Sequence, residues 1–128
     1  MPTPYRIYLV DDDRFLLDMY AVKFRNAGQD VTAFQGGELA LEALRKDPKP
    51  DAMLLDIVMP GIDGFEVLEI IRKENLAGTA KIIVLSNQGA QADLERAKEL
   101  GADGYIIKAS AIPSEVYSET IKIIEKPA

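Results

Sequence analysis

The run Met53-Leu54-Leu55-Asp56-Ile57-Val58-Met59-Pro60-Gly61 constrains the fold more than any other stretch of the chain. Its apolar residues spare neither face, which suits a strand buried between two helical layers and not one with a wet side. Pro60 and Gly61 end it, and Gly64 lies just beyond. Asp56 is therefore the first ionisable group after a buried strand. Open parallel sheets bind their ligands just outside the carboxyl ends of the strands, so Asp56 occupies the position where chemistry is usually done.

The rest of the chain supplies the sheet that this strand needs. Short apolar runs at Tyr5 to Val10, Asp30 to Phe34, Asp51 to Asp56, Lys81 to Ser86 and Gly104 to Lys108 read as strands. Helical stretches alternate with them. The first runs from about Arg14 to Ala27, with Phe15, Met19 and Val22 on one face, and Gly28 takes the left-handed stop position. The second opens at Gly36-Gly37 and runs to about Lys46, with Leu39, Ala40, Ala43 and Leu44 inward, before a turn at Asp47-Pro48-Lys49-Pro50. Asp63 caps the third, which reaches about Asn75 with Val67, Leu68 and Ile71 inward. The fourth spans Ala90 to Leu100, its apolar side being Ala90, Leu94 and Ala97, and Gly101 stops it. Pro113 opens the last at its favoured first position, and Lys126-Pro127 ends it. Strands alternating with helices through short loops predict an α/β fold, a five-stranded parallel sheet with right-handed crossovers and helices on both faces.

Composition narrows the function. At 128 residues with no linker, repeat or low-complexity segment, a single domain with a core of about 5–125 is expected. A net charge of −6 argues against general binding to nucleic acid or to anionic membrane. There is no cysteine and no histidine, which removes disulfides, thiolate metal sites and the commonest general base. Any metal is then a hard cation held by oxygens. No signal peptide and no apolar stretch long enough to span a bilayer stands out, so a cytoplasmic protein is expected.

Acidic residues fall at two strand ends: Asp11 and Asp12 after the first, Asp56 after the third. In the doubly wound order 2-1-3-4-5 those strands are neighbours, and the three carboxylates converge. Like charges that close repel by about 4 kcal/mol at about 4 Å and intermediate dielectric, and Mg²⁺, with open positions left for phosphate oxygens, relieves this. Ser86 and Lys108 end the fourth and fifth strands on the same edge, adding a hydroxyl and an ammonium for phosphoryl oxygens. Three carboxylates, one Mg²⁺ and one lysine sum to zero, and Asp56 is the natural nucleophile for an acyl phosphate. Alone, each residue has a plainer explanation. An Asp run before a helix is usually a cap, and that reading is kept for Asp13. A strand-end Ser or Lys is usually solvated, and Tyr105 is usually core. Their joint occurrence on one sheet edge favours the site.

With these residues in view, the sequence resembles the receiver domain of two-component response regulators. The markers are Leu9-Val10-Asp11-Asp12, Leu55-Asp56-Ile57-Val58-Met59-Pro60-Gly61-Ile62-Asp63-Gly64, Ser86, Gly101-Ala102-Asp103-Gly104-Tyr105 and Lys108, and they cover about Tyr5 to Ile124. The resemblance implies a flavodoxin-like fold with strand order 2-1-3-4-5. It implies that Asp56 accepts a phosphoryl group and that Asp11, Asp12 (the more direct ligand), Asp56 and the backbone carbonyl of Val58 hold Mg²⁺, for which Mn²⁺ or Ca²⁺ can substitute. It makes Lys108 the phosphate-binding lysine, Ser86 the switch hydroxyl and Tyr105 the switch aromatic. The implied donor is a phosphohistidine on a histidine kinase or phosphotransfer protein. The implied output is a population shift in which Ser86 moves toward the phosphoryl group and Tyr105 turns inward. The face formed by the fourth helix, fifth strand and fifth helix then changes partner.

Departures from the family pattern carry their own expectations. Ala109 stands where a cis proline is usual, and a non-proline cis bond costs about 3–4 kcal/mol, so a trans bond and a remodelled loop through Ser110 are expected. Asn87 is larger than the usual residue after the switch hydroxyl and could narrow access to Asp56. Val58 and Gln88 occupy positions that tune acyl phosphate hydrolysis, and apolar Val58 cannot orient a water, which predicts a long-lived phosphorylated state. The alternative reading is a phosphorylation-independent interaction module. A haloacid-dehalogenase-type phosphatase needs an Asp at position 58, and a flavodoxin needs a hydroxyl-rich loop where Asp11-Asp12-Asp13 stands. The mixed charges Glu95, Arg96, Lys98, Glu119 and Lys122 read as a solvated face, so a monomer, or a weak phosphorylation-dependent dimer, is expected.

Overall fold

Turn chemistry and apolar period set the element boundaries in the computed structural model, which describes residues 3–46, 49–87, 89–108 and 112–126. Met1-Pro2, Asp47-Pro48, Gln88, the Lys108–Ala109 bond with Ser110, and Pro127-Ala128 lie outside the described residues. In chain order the elements are β1 (Arg6–Val10), α1 (Arg14–Asn26), β2 (Asp30–Phe34), α2 (Gly37–Leu44) and β3 (Ala52–Leu55). They continue with α3 (Gly64–Glu74), β4 (Lys81–Ser86), α4 (Gln91–Glu99), β5 (Gly104–Ile107) and α5 (Pro113–Glu125). The strands form one parallel sheet in the order β2-β1-β3-β4-β5, as the flavodoxin-like pattern requires.

Strand alternation divides the core into two layers. Ile7, Leu9, Leu54, Ile83, Leu85 and Ile106 meet α1 and α5 on one face. Tyr8, Val10, Met53, Leu55 and Ile82 meet α2 and α3 on the other. A smaller cluster of Ile57, Phe65, Val84 and Ala97, joined by Leu100, Ala102 and Tyr105, lies beneath α4.

Helix ends follow the local signals. Gly28 and Gly101 stop α1 and α4 at φ 95° and 85°, a conformation that costs other residues dearly. Asp63 makes a full capping box: its Oδ1 accepts from the Glu66 amide at 2.9 Å, and Glu66 Oε1 accepts from the Asp63 amide at 3.2 Å. Replacing Asp63 by Ala orphans an α3 amide and is expected to cost about 1 kcal/mol. Urea unfolding of the two proteins checks this, and an unchanged midpoint would rule the cap out as a stabilising contact.

Three sequence expectations about helix faces need correction. In α1 the buried residues are Leu17, Tyr20, Ala21 and Phe24, whereas Phe15 is 76% and Val22 55% exposed. In α2 Leu41 is buried and Leu39 is 55% exposed. In α4 Ala90 is an exposed N-cap, and Ala97 is the buried residue. In α1 and α2 apolar residues cover much of the circumference, so helical spacing admits more than one stripe, and contact with the sheet selects among them. In α4 the cause is different: Ala90 is the N-cap and precedes the first helical residue, Gln91, so it has no place on the helix's inner face.

Candidate functional site

The sheet's own ladder places the acids. Val10 and Leu55 are partners in the β1–β3 register, so the residues that follow them, Asp11 and Asp56, emerge side by side. The Asp56 amide donates to the Val10 carbonyl at 3.0 Å and the Asp11 amide to the Phe34 carbonyl at 3.1 Å. Both backbones are thereby held as continuations of strands. Asp13 serves as the α1 N-cap, accepting from the Leu16 amide at 3.1 Å, and its own amide donates to Asp11 Oδ1 at 2.9 Å. The cap reading of Asp13 therefore holds, and the same turn aims Asp11.

On the far side, Ser86 and Ile107 are partners at the end of the β4–β5 ladder, which delivers Ser86 and, one residue on, Lys108. Lys108 Nζ lies 2.6 Å from Asp11 Oδ2 and 3.5 Å from Asp56 Oδ1, with all three side chains less than a tenth exposed. Ser86 is buried and shares a side-chain hydrogen bond with Tyr105. Asp11, Asp12, Asp56, Val58, Ser86, Asn87 and Lys108 line one cleft of about 320 Å³. Val58 turns its side chain outward at the rim, 62% exposed. The backbone behind Asp56 is closely packed: the Gly64 amide donates to the Ile57 carbonyl at 2.8 Å, and a Cβ on Gly64 would collide with the Asp56 carbonyl oxygen. Only glycine lets α3 start so near the strand end. Larger grooves exist between α4 and β5 and beside β2, but neither gathers acids as this cleft does.

Charge in the cleft is unbalanced. Two buried carboxylates and one ammonium leave a surplus negative charge. The Asp56 pKa is pushed up to about 7, first by burial and then by the charge of Asp11; Lys108 and the Ile57 amide oppose the shift. Burial alone would lower the Lys108 pKa, but its hydrogen bond to Asp11 and the charges of Asp56 and Asp11 outweigh it, and the value is raised. One oxygen from each of Asp11, Asp12 and Asp56 falls within a set spanning no more than 4.8 Å. A partly exposed, oxygen-only donor set with net negative charge fits a hard divalent cation that retains some of its water.

Among the described residues, every side chain singled out for the site thus sits in or beside this cleft, with Tyr105 joined to it through Ser86. Tyr20 was not anticipated. It is 4% exposed, burial raises its pKa, and Lys108, Asp11 and Asp56 act on it through their charges. Nothing in the sequence marks it, because a tyrosine among apolar helix positions reads as core.

The sequence pattern of the family described as response regulator receiver domain matches residues 7–116. Among curated relatives, the chain is 35% identical over 103 residues to the DNA-binding response regulator MtrA of Mycobacterium tuberculosis, covering 80% of this chain and 43% of that protein. It is 31% identical over 121 residues to the alkaline phosphatase synthesis transcriptional regulatory protein PhoP of Bacillus subtilis, covering 94% and 49%. The chain therefore spans about half the length of the curated relatives it matches. A solved structure of a putative response regulator from Chloroflexus aurantiacus aligns with TM-score 0.85 at 32% identity, covering 96% of this chain and 99% of that one. The chemotaxis protein CheY4 of Vibrio cholerae aligns with TM-score 0.86 at 22% identity, covering 94% and 98%, and that likeness speaks to the fold alone.

Proposed function

The chain belongs to the response regulator receiver domain family of two-component signalling, and on that premise we propose that it is a phosphoacceptor switch whose acceptor is Asp56. The observation that carries the proposal is the convergence of Asp11, Asp12 and Asp56 on one set of oxygens, with the Lys108 ammonium lying between two of the acids. In this reading an Asp56 carboxylate oxygen attacks phosphorus, the P–N bond of a phosphohistidine donor breaks, and imidazole leaves. A phosphoryl group in flight asks mainly for positioning and charge neutralisation. Lys108 turns from Asp56 to a phosphoryl oxygen, Ser86 donates a hydrogen bond to another, and the Ile57 amide holds Asp56 in place.

Asp11, Asp12, Asp56 and the Val58 carbonyl are the groups that would hold Mg²⁺. When bound, the ion offsets the surplus negative charge and favours the ionised, nucleophilic form of Asp56. A histidine kinase or histidine phosphotransfer protein is the donor this chemistry fits, and the α4-β5-α5 face is the output surface. Moving Ser86 disturbs its bond to Tyr105, which packs in the cluster beneath α4. The Val58 side chain at the rim has no group to orient an attacking water, so the acyl phosphate is expected to outlast seconds.

Incubation with acetyl phosphate, with and without Mg²⁺, followed by intact mass, tests the reading. One added phosphoryl group is expected, dependent on both Mg²⁺ and Asp56 and absent from Asp56→Asn. Loss of that mass with time measures the lifetime. No addition over hours would defeat the phosphoacceptor reading and favour an interaction module that works unmodified. Among the described residues no helix is long and apolar enough to cross a membrane.

A further inference from the structure

Helix α4 is loosely seated. Of its residues only Ala97 is buried, and its N-cap, Ala90, offers no side-chain hydrogen bond. Two arginines supply the hold that packing does not. Arg72 of α3 donates from Nε to the Leu100 carbonyl at 3.1 Å and from Nη2 to the Gly101 carbonyl, gripping the end of α4. Arg96 of α4 reaches the other way. Its guanidinium carbon sits 4.4 Å from the centre of the Phe65 ring, and its Nη2 lies 3.6 Å from Glu69 Oε1.

The ring beneath Arg96 is not a neutral spot. Phe65 follows Gly64, whose lack of a side chain lets α3 press on the Asp56 carbonyl. Phe65 also packs with Ile57, Val84 and Ala97 in the cluster that Tyr105 joins. Arg96 thus closes the outer side of the small core that lies between the acidic cleft and α4. A cation held over an aromatic face at an exposed site and an exposed ion pair each add a modest increment. That sum is a small part of global stability but is large for a helix with one buried residue.

We propose that Arg96 is a clamp that pins α4 to α3 in the unmodified protein and so sets how readily the chain switches. The regulatory half rests on the phosphoacceptor reading above. A change at Ser86 and Tyr105 alters the core that Arg96 closes. While the clamp holds, repacking that core requires separating the guanidinium from Phe65 and Glu69. Weakening the clamp makes the switched arrangement easier to populate.

The test is hydrogen exchange by mass spectrometry on the whole chain without a phosphodonor, paired with the initial rate of Mg²⁺-dependent phosphorylation by acetyl phosphate. Arg96→Gln keeps a polar side chain, though a shorter one, and removes the cation. It is expected to raise exchange of the α4 amides about fivefold, the equivalent of roughly 1 kcal/mol, and the phosphorylation rate by a similar factor. Arg96→Lys keeps the charge and should recover part of both effects. Phe65→Leu keeps the cluster largely filled and removes the ring face but leaves Glu69, so it should reproduce part of the Arg96→Gln effect, with the double variant falling short of the sum of the two single ones. Unchanged α4 exchange in Arg96→Gln would overturn the clamp. Faster α4 exchange with an unchanged phosphorylation rate would overturn its regulatory role. If the unaltered chain takes no phosphoryl group, the phosphoacceptor reading and the regulatory role fall together, and the exchange measurement still decides whether the clamp exists.

Discussion

Replacing Lys108 by Met is expected to destabilise the protein by about 3 kcal/mol at pH 7.5 without divalent cations, in the range found when one partner of a buried ion pair is removed. Lys108 Nζ is 2.6 Å from Asp11 and 3.5 Å from Asp56, and it is the positive charge that both acids share. Methionine fills much of the same volume, so packing is largely retained and the loss is electrostatic. What remains is two desolvated carboxylates facing each other. One proton can take the ammonium's place by joining them, since Asp56 already resists ionisation until about pH 7. The cost should therefore shrink to about 1 kcal/mol near pH 5. Millimolar Mg²⁺ should stabilise the variant more than the parent, because it supplies the missing positive charge. Urea unfolding at the two pH values decides the matter: an equal cost at both would show that Lys108 matters through packing.

The second large effect concerns Asp56 itself. Its pKa in the folded protein is raised from the ordinary carboxylate value to about 7, by burial first and Asp11 second. The folded state then binds more protons than the unfolded chain between pH 4 and 7. Where the native state holds the extra proton, stability falls as pH rises. The contribution of Asp56 is complete below the unfolded carboxylate value and is lost as pH climbs through about 7. Asp56→Asn removes the ionisation but keeps an oxygen for the Ile57 amide. At pH 7.5 without Mg²⁺ it should be about 2 kcal/mol more stable than the parent. That is less than the roughly 4 kcal/mol that three pKa units represent, because the contact with the Lys108 charge is weakened too. Near pH 4 the two proteins should unfold together. Thermal or urea unfolding from pH 4 to 8 tests this, and parallel curves would mean that Asp56 is not the group whose ionisation strains the cleft. A residue that destabilises its own fold at neutral pH is expected where function requires an uncompensated charge.

Much of the site is legible from the chain alone because strands end where apolar runs meet Asp, Pro or Gly. In a parallel sheet all those ends lie on one edge. Asp11, Asp12, Asp56, Ser86 and Lys108 could be placed on that edge without knowing a single distance, and the strand order implied by the resemblance then made the first and third strands neighbours. The helix cap at Asp63 and the left-handed stop at Gly28 were equally local, since each is decided within one helical turn. Arg96 shows the opposite case. It was read as one of several mixed charges on a solvated face, and its partners Phe65 and Glu69 lie on another helix, invisible to any local pattern.

The sequence by itself determined the alternation of strands and helices, their approximate ends and the edge on which the acids meet, because these rest on apolar period, turn residues and chain direction. Only the tertiary structure decided the rest. It chose Leu17, Tyr20, Ala21 and Phe24 over Phe15 and Val22 as the inner face of α1, because a helix that is apolar nearly all round has no preferred side until a sheet covers one. It put Lys108 between Asp11 and Asp56 and bonded Tyr105 to Ser86. Side-chain pairing across strands depends on reach and burial in three dimensions, and the spacing of residues along a chain carries neither.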